Sequence, residues 1–595
     1  MRSGTSRNWL WILTAAVLGL SACRDSGQPD AVYRTESDGK VHYSGPLGDE
    51  VRVHLSGEPV SLHPLNSRDA ARGFVLDLCY QHLLGQDQET GALIPELSGL
   101  PEISADRLRH TYRIDARAAW PDGAPVTASD VVFTLKAVAC KHTDCSHVRS
   151  FLEYVQDVYP DPADPKAFTI AFTQHYIHNA HLGLIMYILD RRAYDSAAVL
   201  DAWTLPQLLD ERSAANASPA VQAWAEGFND VKYARDPAFL RSGSGPYLLE
   251  SWTPKEMLVL KPRPSYWGKG LGGPAHSQRV PEIRFRIMSD DQAVQVAFGQ
   301  QEFDVSMQLS ALSYENMRTD SSIDLHYTLL SRPRETAVVL AMNLASRGAQ
   351  ASIFSDPRVR KAVALALPVD QMIESDLQGH GVRTASIIMR DNADYNQALK
   401  PLPYDPAASA ALLDAAGWTD SNADGIRDRV IRGTSVPLSF TMMFSPRGQG
   451  VTEMADRIRN SLAEAGIQCE LQQVPSTATV LQEHTFEVIL TNFTGSSLPY
   501  DLKQLFHSSE WPKGNNFFAY ANPKVDSLIM RSRVDTDPVL RKARLDELQA
   551  ILLEDLPLVP LFNPTRRFAL HRRYHNATVR PHGNYLYLND LEVLR

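Results

Sequence analysis

The chain has 595 residues, 44% of them hydrophobic, and a formal net charge of −10. That is ample apolar content for a core, and enough length for several ordinary domains or one large receptor built of lobes. An acidic chain without a basic stripe argues against nucleic acid as a partner.

Arg2 and Arg7 precede the apolar run Trp9 to Leu20. The run is too short to span a bilayer as a mature helix and reads as a secretory signal over residues 1–23. Leu20-Ser21-Ala22-Cys23 reads as a lipobox, in which Cys23 becomes the lipidated first residue of the mature protein. The alternative is an ordinary cleaved signal with an accidental cysteine. Residues 24–48 are polar, with Gly, Pro, Ser and Asp, and are expected to form a flexible tether. No later run approaches the roughly 18 apolar residues of a membrane span, so the remainder is expected to be soluble.

Val51 to Leu55 begins the folded part as a strand. Arg109, Thr111 and Arg113 alternate with His110, Tyr112 and Ile114, the period of a half-buried strand. Pro121-Asp122-Gly123 is a turn, and Thr127-Ala-Ser-Asp130 is a capping box ahead of Val131-Val132-Phe133. Cys140 and Cys145 flank a polar loop and could close a short disulfide after export. With His142 and His147 they also supply soft-metal ligand types, but not the spacing of a common zinc module. Cys79 and Cys469 sit in apolar surroundings and read as buried thiols. His175, His178 and His181 are three apart, so on a helix at most two neighbours share a metal, and a packed or surface set is the plainer reading. Leu200 to Asp236 reads as extra surface helices. Gly268-Lys-Gly270-Leu-Gly272-Gly273 fits a dinucleotide fingerprint, but Pro274 follows in place of an apolar helix, leaving a glycine-rich loop.

The second half alternates helices and strands. Asp405-Pro406 starts a helix that Gly417 ends. Pro437 to Phe444 reads as a strand. Met454, Ile458 and Leu462 share a helix face that stops at Gly466, and Ile467–Leu471 and Phe486–Leu490 read as strands. Arg541 to Asp555 carries Leu545, Leu548 and Leu552 at helical spacing and stops at Pro557. Such alternation favours an open α/β sheet covered by helices. Asp420, Asn422, Asp424 and Asp428, with Gly425 between, place oxygen donors at positions 1, 3, 5 and 9 of an EF-hand-type loop. Position 12 is Ile431, without the bidentate acid, so the loop reads as a structural turn or as a site for a structural calcium. No G-x-S-x-G, H-E-x-x-H or Walker A sequence occurs, so the main enzyme templates are absent and no catalytic residue is assigned.

One collinear series of residues carries more. Tyr80, Leu83, Asp87, Gly91, Pro95 and Leu97 are followed by Tyr112, Trp120, Asp122, Gly123, Pro125, Val126, Thr127, Ala128, Asp130, Val131 and Phe133. Glu58-Pro59-Val60-Ser61-Leu62-His63-Pro64 stands before them. Gly243-Ser-Gly245-Pro246-Tyr247, Tyr266-Trp267-Gly268, Phe303-Asp304-Val305, Asp356 to Ala362 and Asn522-Pro523 follow. From about Val51 to Leu561 the series resembles the bacterial extracellular solute-binding proteins of family 5, the peptide, dipeptide and nickel receptors of ABC importers.

The resemblance implies an α/β, two-lobed periplasmic-binding-protein fold of the class II type, with an additional subdomain on the first lobe. Lobe I would comprise 49–84, 236–310 and 565–595, the subdomain 85–235, and lobe II 311–564. It implies no enzyme, but a monomeric lipoprotein that faces the periplasm or cell exterior, closes on a peptide-like solute and presents it to ABC permease subunits. A non-transporting sensor or adhesion lipoprotein on the same scaffold is the first alternative, and a secreted hydrolase the second. Arg68 and Asp69 fall near the family's pocket-lining positions, and Phe493, Thr494 and Ser496 fall on its second-lobe segment. Phe493 takes the place of the usual Trp, as apolar wall. Ser496 takes that of the Asp that anchors a peptide's amino terminus. The resemblance therefore points to a ligand that is blocked, modified or not a peptide.

Overall fold

The structure is a computed structural model that describes residues 47–66, 70–230, 240, 242–345, 352–431, 433–447, 450–495 and 498–594. It also describes the backbone of a hairpin in which Tyr33–Thr35 pairs antiparallel with Val41–Tyr43. The hairpin lies in the stretch expected to be a plain tether. Cys23, Arg68, Asp69 and Ser496 lie outside the described residues.

Two half-sheets share one strand. In the first lobe Tyr247–Thr253, Met257–Pro262, Ile283–Ile287, Val51–Leu55 and Val305–Ser306 lie side by side, followed by Leu558–His571. Val51–Leu55 runs parallel to both of its neighbours, and Val51, Val53 and Leu55 are fully buried, as expected of a strand covered on both faces. Asp304 fastens the chain's end to this sheet. Its carboxylate, wholly buried, takes the Nε–H groups of Arg52 and Arg573, each at 2.9 Å.

In the second lobe Leu558–His571 is followed by Thr336–Met342, Val488–Thr494, Ser439–Phe444 and Gln468–Gln473. The sheet is covered on both faces, and Thr336–Met342 shows it by alternation. Leu340 and Met342 join a core with Val363, Leu413, Ile458 and Leu462 from three helices. Ala337, Val339 and Ala341 join another with Ile529 from Pro523–Ser532 and Leu545 and Leu548 from Pro538–Asp555.

The shared strand joins the lobes. Its first part, Leu558–Phe562, pairs with Thr336–Met342, and its second, Thr565–His571, with Tyr327–Pro333. The chain therefore passes between lobes at two adjacent places, Arg334-Glu335 and Asn563-Pro564, joined by a 2.8 Å bond from the Arg334 N–H to the Pro564 carbonyl. The change of lobe thus falls near Arg334, not at 311. Residues 311–333 belong with the first lobe, where Tyr314, Met317, Ile323 and Tyr327 pack on Phe298 and Phe303.

The added subdomain carries an antiparallel sheet in the order Glu102–Ile103, Arg109–Arg113, Ala167–Phe172, Val155–Pro160. Arg109–Arg113 alternates exposed and buried, with Tyr112 stacked on Phe168. Helix Ala128–Ala139 begins where the capping box expects: Asp130 accepts the Thr127 N–H at 2.8 Å and the Trp120 indole N–H at 3.3 Å. The subdomain also reaches the second lobe. Arg533, 2% exposed, donates to Asp501 at 2.8 Å and to Glu153 at 2.7 Å, and its guanidinium lies over the rings of Tyr154 and Tyr176.

Candidate functional site

Ser439–Phe444 and Val488–Thr494 run parallel, and their carboxyl ends open toward the start of helix Val451–Glu464 and toward the hinge. In open α/β sheets this is where ligands bind. A cavity of about 260 Å³ occupies the place. Arg334, Phe562, Pro564, Thr565 and Arg567 form its floor from the crossing segments. Ala311 contributes from the first lobe, and Ser445, Arg447, Met454, Thr477 and Asn492 from the second. Val338, Leu377, Leu490, Phe562 and Met454 make the apolar part of the wall, the usual background for a few polar anchors. A further cavity of about 210 Å³ lies between Phe74, Leu78, Ile94 and residues 583–589. Its lining comes from the first lobe and subdomain, so closure of the second lobe would not enclose it.

The hinge cavity is cationic. Three arginines line it, and among the described residues no Asp or Glu does. Arg567 gives its Nε–H to the Leu309 carbonyl at 2.9 Å. Burial, and after it the charge of Arg334, lower its pKa to about 10. Arg334 stays more than a third open to solvent, yet the surrounding protein, and then Arg566, lower its pKa too. That combination describes a side chain standing in a cleft. His380 bridges the lobes: Nε2 lies 3.1 Å from Glu315 and Nδ1 3.4 Å from the Thr565 hydroxyl. Burial, with Arg567 next, lowers its pKa and favours the neutral ring.

The residues expected from sequence lie differently. Phe493 pairs with Ala337 and shares its face of the sheet, away from Leu490 and Val338, with its ring edge-on to Phe518. It belongs to the packing under the sheet rather than to this cavity's wall. Thr494 is exposed at the strand end, its hydroxyl 3.3 Å from that of Thr336. Arg334, Arg447, Arg567 and His380 were not anticipated. The basic pairs Arg332/Arg334 and Arg566/Arg567 were visible, but only the strand register brings them together.

The other candidate residues make contacts within the protein. In the loop from Asp420, that carboxylate accepts the N–H groups of Asp424 and Gly425, and Asn422 and Asp424 accept further loop N–H groups. Asp428 is bound by the hydroxyls of Ser421 and Ser435. These oxygens satisfy the turn itself. Among the described residues no group of three or more His, Cys, Asp or Glu is placed to hold a metal ion. Cys140 and Cys145 are free, buried thiols rather than a disulfide, and burial pushes Cys145 up to about 11. His178 is packed, its Nε2 2.6 Å from the Pro499 carbonyl and Nδ1 3.0 Å from the Tyr176 hydroxyl, and His181 bonds the Ile177 carbonyl at 3.2 Å. Among the described residues no helix is long and apolar enough to cross a membrane.

Comparison with known proteins agrees with this architecture. The chain is 22% identical to the oligopeptide-binding protein AppA of Bacillus subtilis over 96% of its length and 95% of the relative's. It is 22% identical to the glutathione-binding protein GsiB of Salmonella typhimurium, over 86% of this chain and 88% of that one. The solved structure of NikA from Brucella suis in complex with Fe(III)-EDTA superposes with a TM-score of 0.71 at 20% identity, covering 91% of this chain and 99% of the other. Residues 92–513 match the profile of the bacterial extracellular solute-binding proteins, family 5 middle region, and the chain belongs to that family.

Proposed function

We propose that the protein is the exported, lipid-anchored receptor of an ABC importer, holding a peptide or peptide-like solute in the hinge cavity and closing over it. One observation carries the reading. The cavity is lined by both lobes and floored by the two segments that cross between them, so a bound solute biases the angle between the halves. The relatives support a solute rather than a reaction, and their solutes differ: oligopeptide, glutathione and a metal–EDTA chelate. Anchoring would come from Cys23. The test is native mass spectrometry of the protein from its own host. A co-purifying small solute, released when the lobes are unfolded, is the expected result. Consistent recovery of an empty chain that binds no candidate solute would contradict it.

A further inference from the structure

We propose that the cavity selects an oligoanionic solute, whose carboxylate or phosphate groups are held by Arg334 and Arg567 at the hinge and by Arg447 on the second lobe. The proposal rests on the receptor reading above and adds the charge of the ligand to it.

Packed arginines elsewhere in the chain are satisfied by the protein itself: Arg149 and Arg360 by backbone carbonyls, others by acids. Arg573 has Asp304, Arg533 has Asp501, Arg457 has Asp376 at 2.7 Å, and Arg541 has Asp394. Arg334 and Arg567 both line the cavity from adjoining crossing segments. The charge of Arg334 lowers the pKa of Arg567 against a weaker pull from Asp291, and neither makes a salt bridge with an acid among the described residues. Two like charges gathered at the floor of a cleft are unfavourable unless something negative joins them. A guanidinium presents a planar fork of donors that matches carboxylate and phosphate oxygens two at a time. Among the described residues the lining offers no acid to receive an ammonium group; Glu315 contacts the lining residue His380 without belonging to the lining itself.

The placement also couples charge to closure. Arg567 lies on the first-lobe part of the hinge strand, and Arg447 follows the second-lobe strand Ser439–Phe444. Without a ligand the two lobes bring like charges toward each other. An anion between them turns that repulsion into attraction, which is the differential interaction that closure requires.

The test is calorimetry at low ionic strength with N-acetylated, C-amidated triglutamate, the matching triglutamine and trilysine, citrate, and inorganic phosphate. Triglutamate or citrate should bind at least about tenfold tighter than triglutamine, the usual size of a charge-assisted contact. Arg334→Gln and Arg567→Gln should each remove most of that preference. Because it removes a like-charge neighbour, Arg334→Gln should not lower the melting temperature of the ligand-free protein. Arg334→Gln keeps the test readable if Arg567, bonded to Leu309, matters for folding. Binding of phosphate without the carboxylates would identify the anion as phosphate and support the proposal. Equal binding of triglutamate and triglutamine, preference for trilysine, or failure of every anion to bind would overturn it. A neutral solute recovered from the host protein would also overturn it while leaving the receptor reading intact; absence of any solute would count against the receptor reading itself.

Discussion

Glu335, next to Arg334 on the crossing segment, lines a small crevice with Arg334, Arg390, Asp391, Asn563, His582 and Tyr585. Burial raises its pKa from the ordinary 4.5 to about 7, with Arg566 opposing the rise. The sign follows from proton counting. Between about 4.5 and 7 the folded chain holds a proton that the unfolded chain has lost, so stability falls as pH rises through that window. Below it both states are protonated and the contribution is complete. Glu335→Gln should flatten the dependence of melting temperature on pH between 4.5 and 7 and raise the melting temperature at pH 8. An unchanged slope in the variant would contradict the assignment. The same residues mark the limit of reading single positions. Arg334 and Arg567 are far apart in sequence, and nothing in either neighbourhood says that the two meet. Phe493 was visible as an aromatic at a binding-segment position, but whether it faces cleft or core depends on the parity of its pairing with Ala337.

At the scale of elements, the pattern that carried the family resemblance turns out to be mostly scaffold. Trp120 and Asp130 tie a turn to a helix start. Asp304 holds two arginines. Gly243 and Gly245 pass so close to Cys79 that a Cβ would lie 2.1 Å and 2.6 Å from its backbone atoms. Such residues were legible because local geometry demands them, and the alternating strand and capping signals were legible for the same reason. The lobe boundary was not: helices Ala311–Arg318 and Ser321–His326 look alike in sequence whichever lobe they cover. Nor was Arg533, whose partners Glu153 and Asp501 come from different lobes. Burial would raise the Asp501 carboxyl, but Arg533, the Tyr176 hydroxyl and the Lys503 N–H together outweigh it and the pKa is lowered. Arg533→Met would leave Asp501 buried without its cation. Arg533 also holds Glu153 across the contact between subdomain and second lobe, so its loss weakens the arrangement in which the two touch. The variant should therefore bind solute more weakly although no residue of the cavity has changed. Unaltered affinity by calorimetry would show that this contact does not favour closure. In the Asp420 loop, where the oxygens are occupied by the turn's own N–H groups, chelator should leave the melting temperature unchanged; a chelator-sensitive drop removed by Asp424→Ala would restore the calcium reading.

For the whole molecule, the two crossing segments and the cavity on their floor define what motion can do. Each lobe has its own core, so rotation about Arg334-Glu335 and Asn563-Pro564 needs no repacking within either. On the proposed function a solute touching both sides would favour the arrangement that encloses it, and at a hundredfold excess over its dissociation constant would stabilise the folded chain by about 2.7 kcal/mol. Small-angle scattering with and without the solute recovered from the host tests this most directly. A smaller radius of gyration in the presence of solute, reversed when the solute is removed, is the predicted result. Tight binding with an unchanged radius of gyration would contradict closure about this hinge.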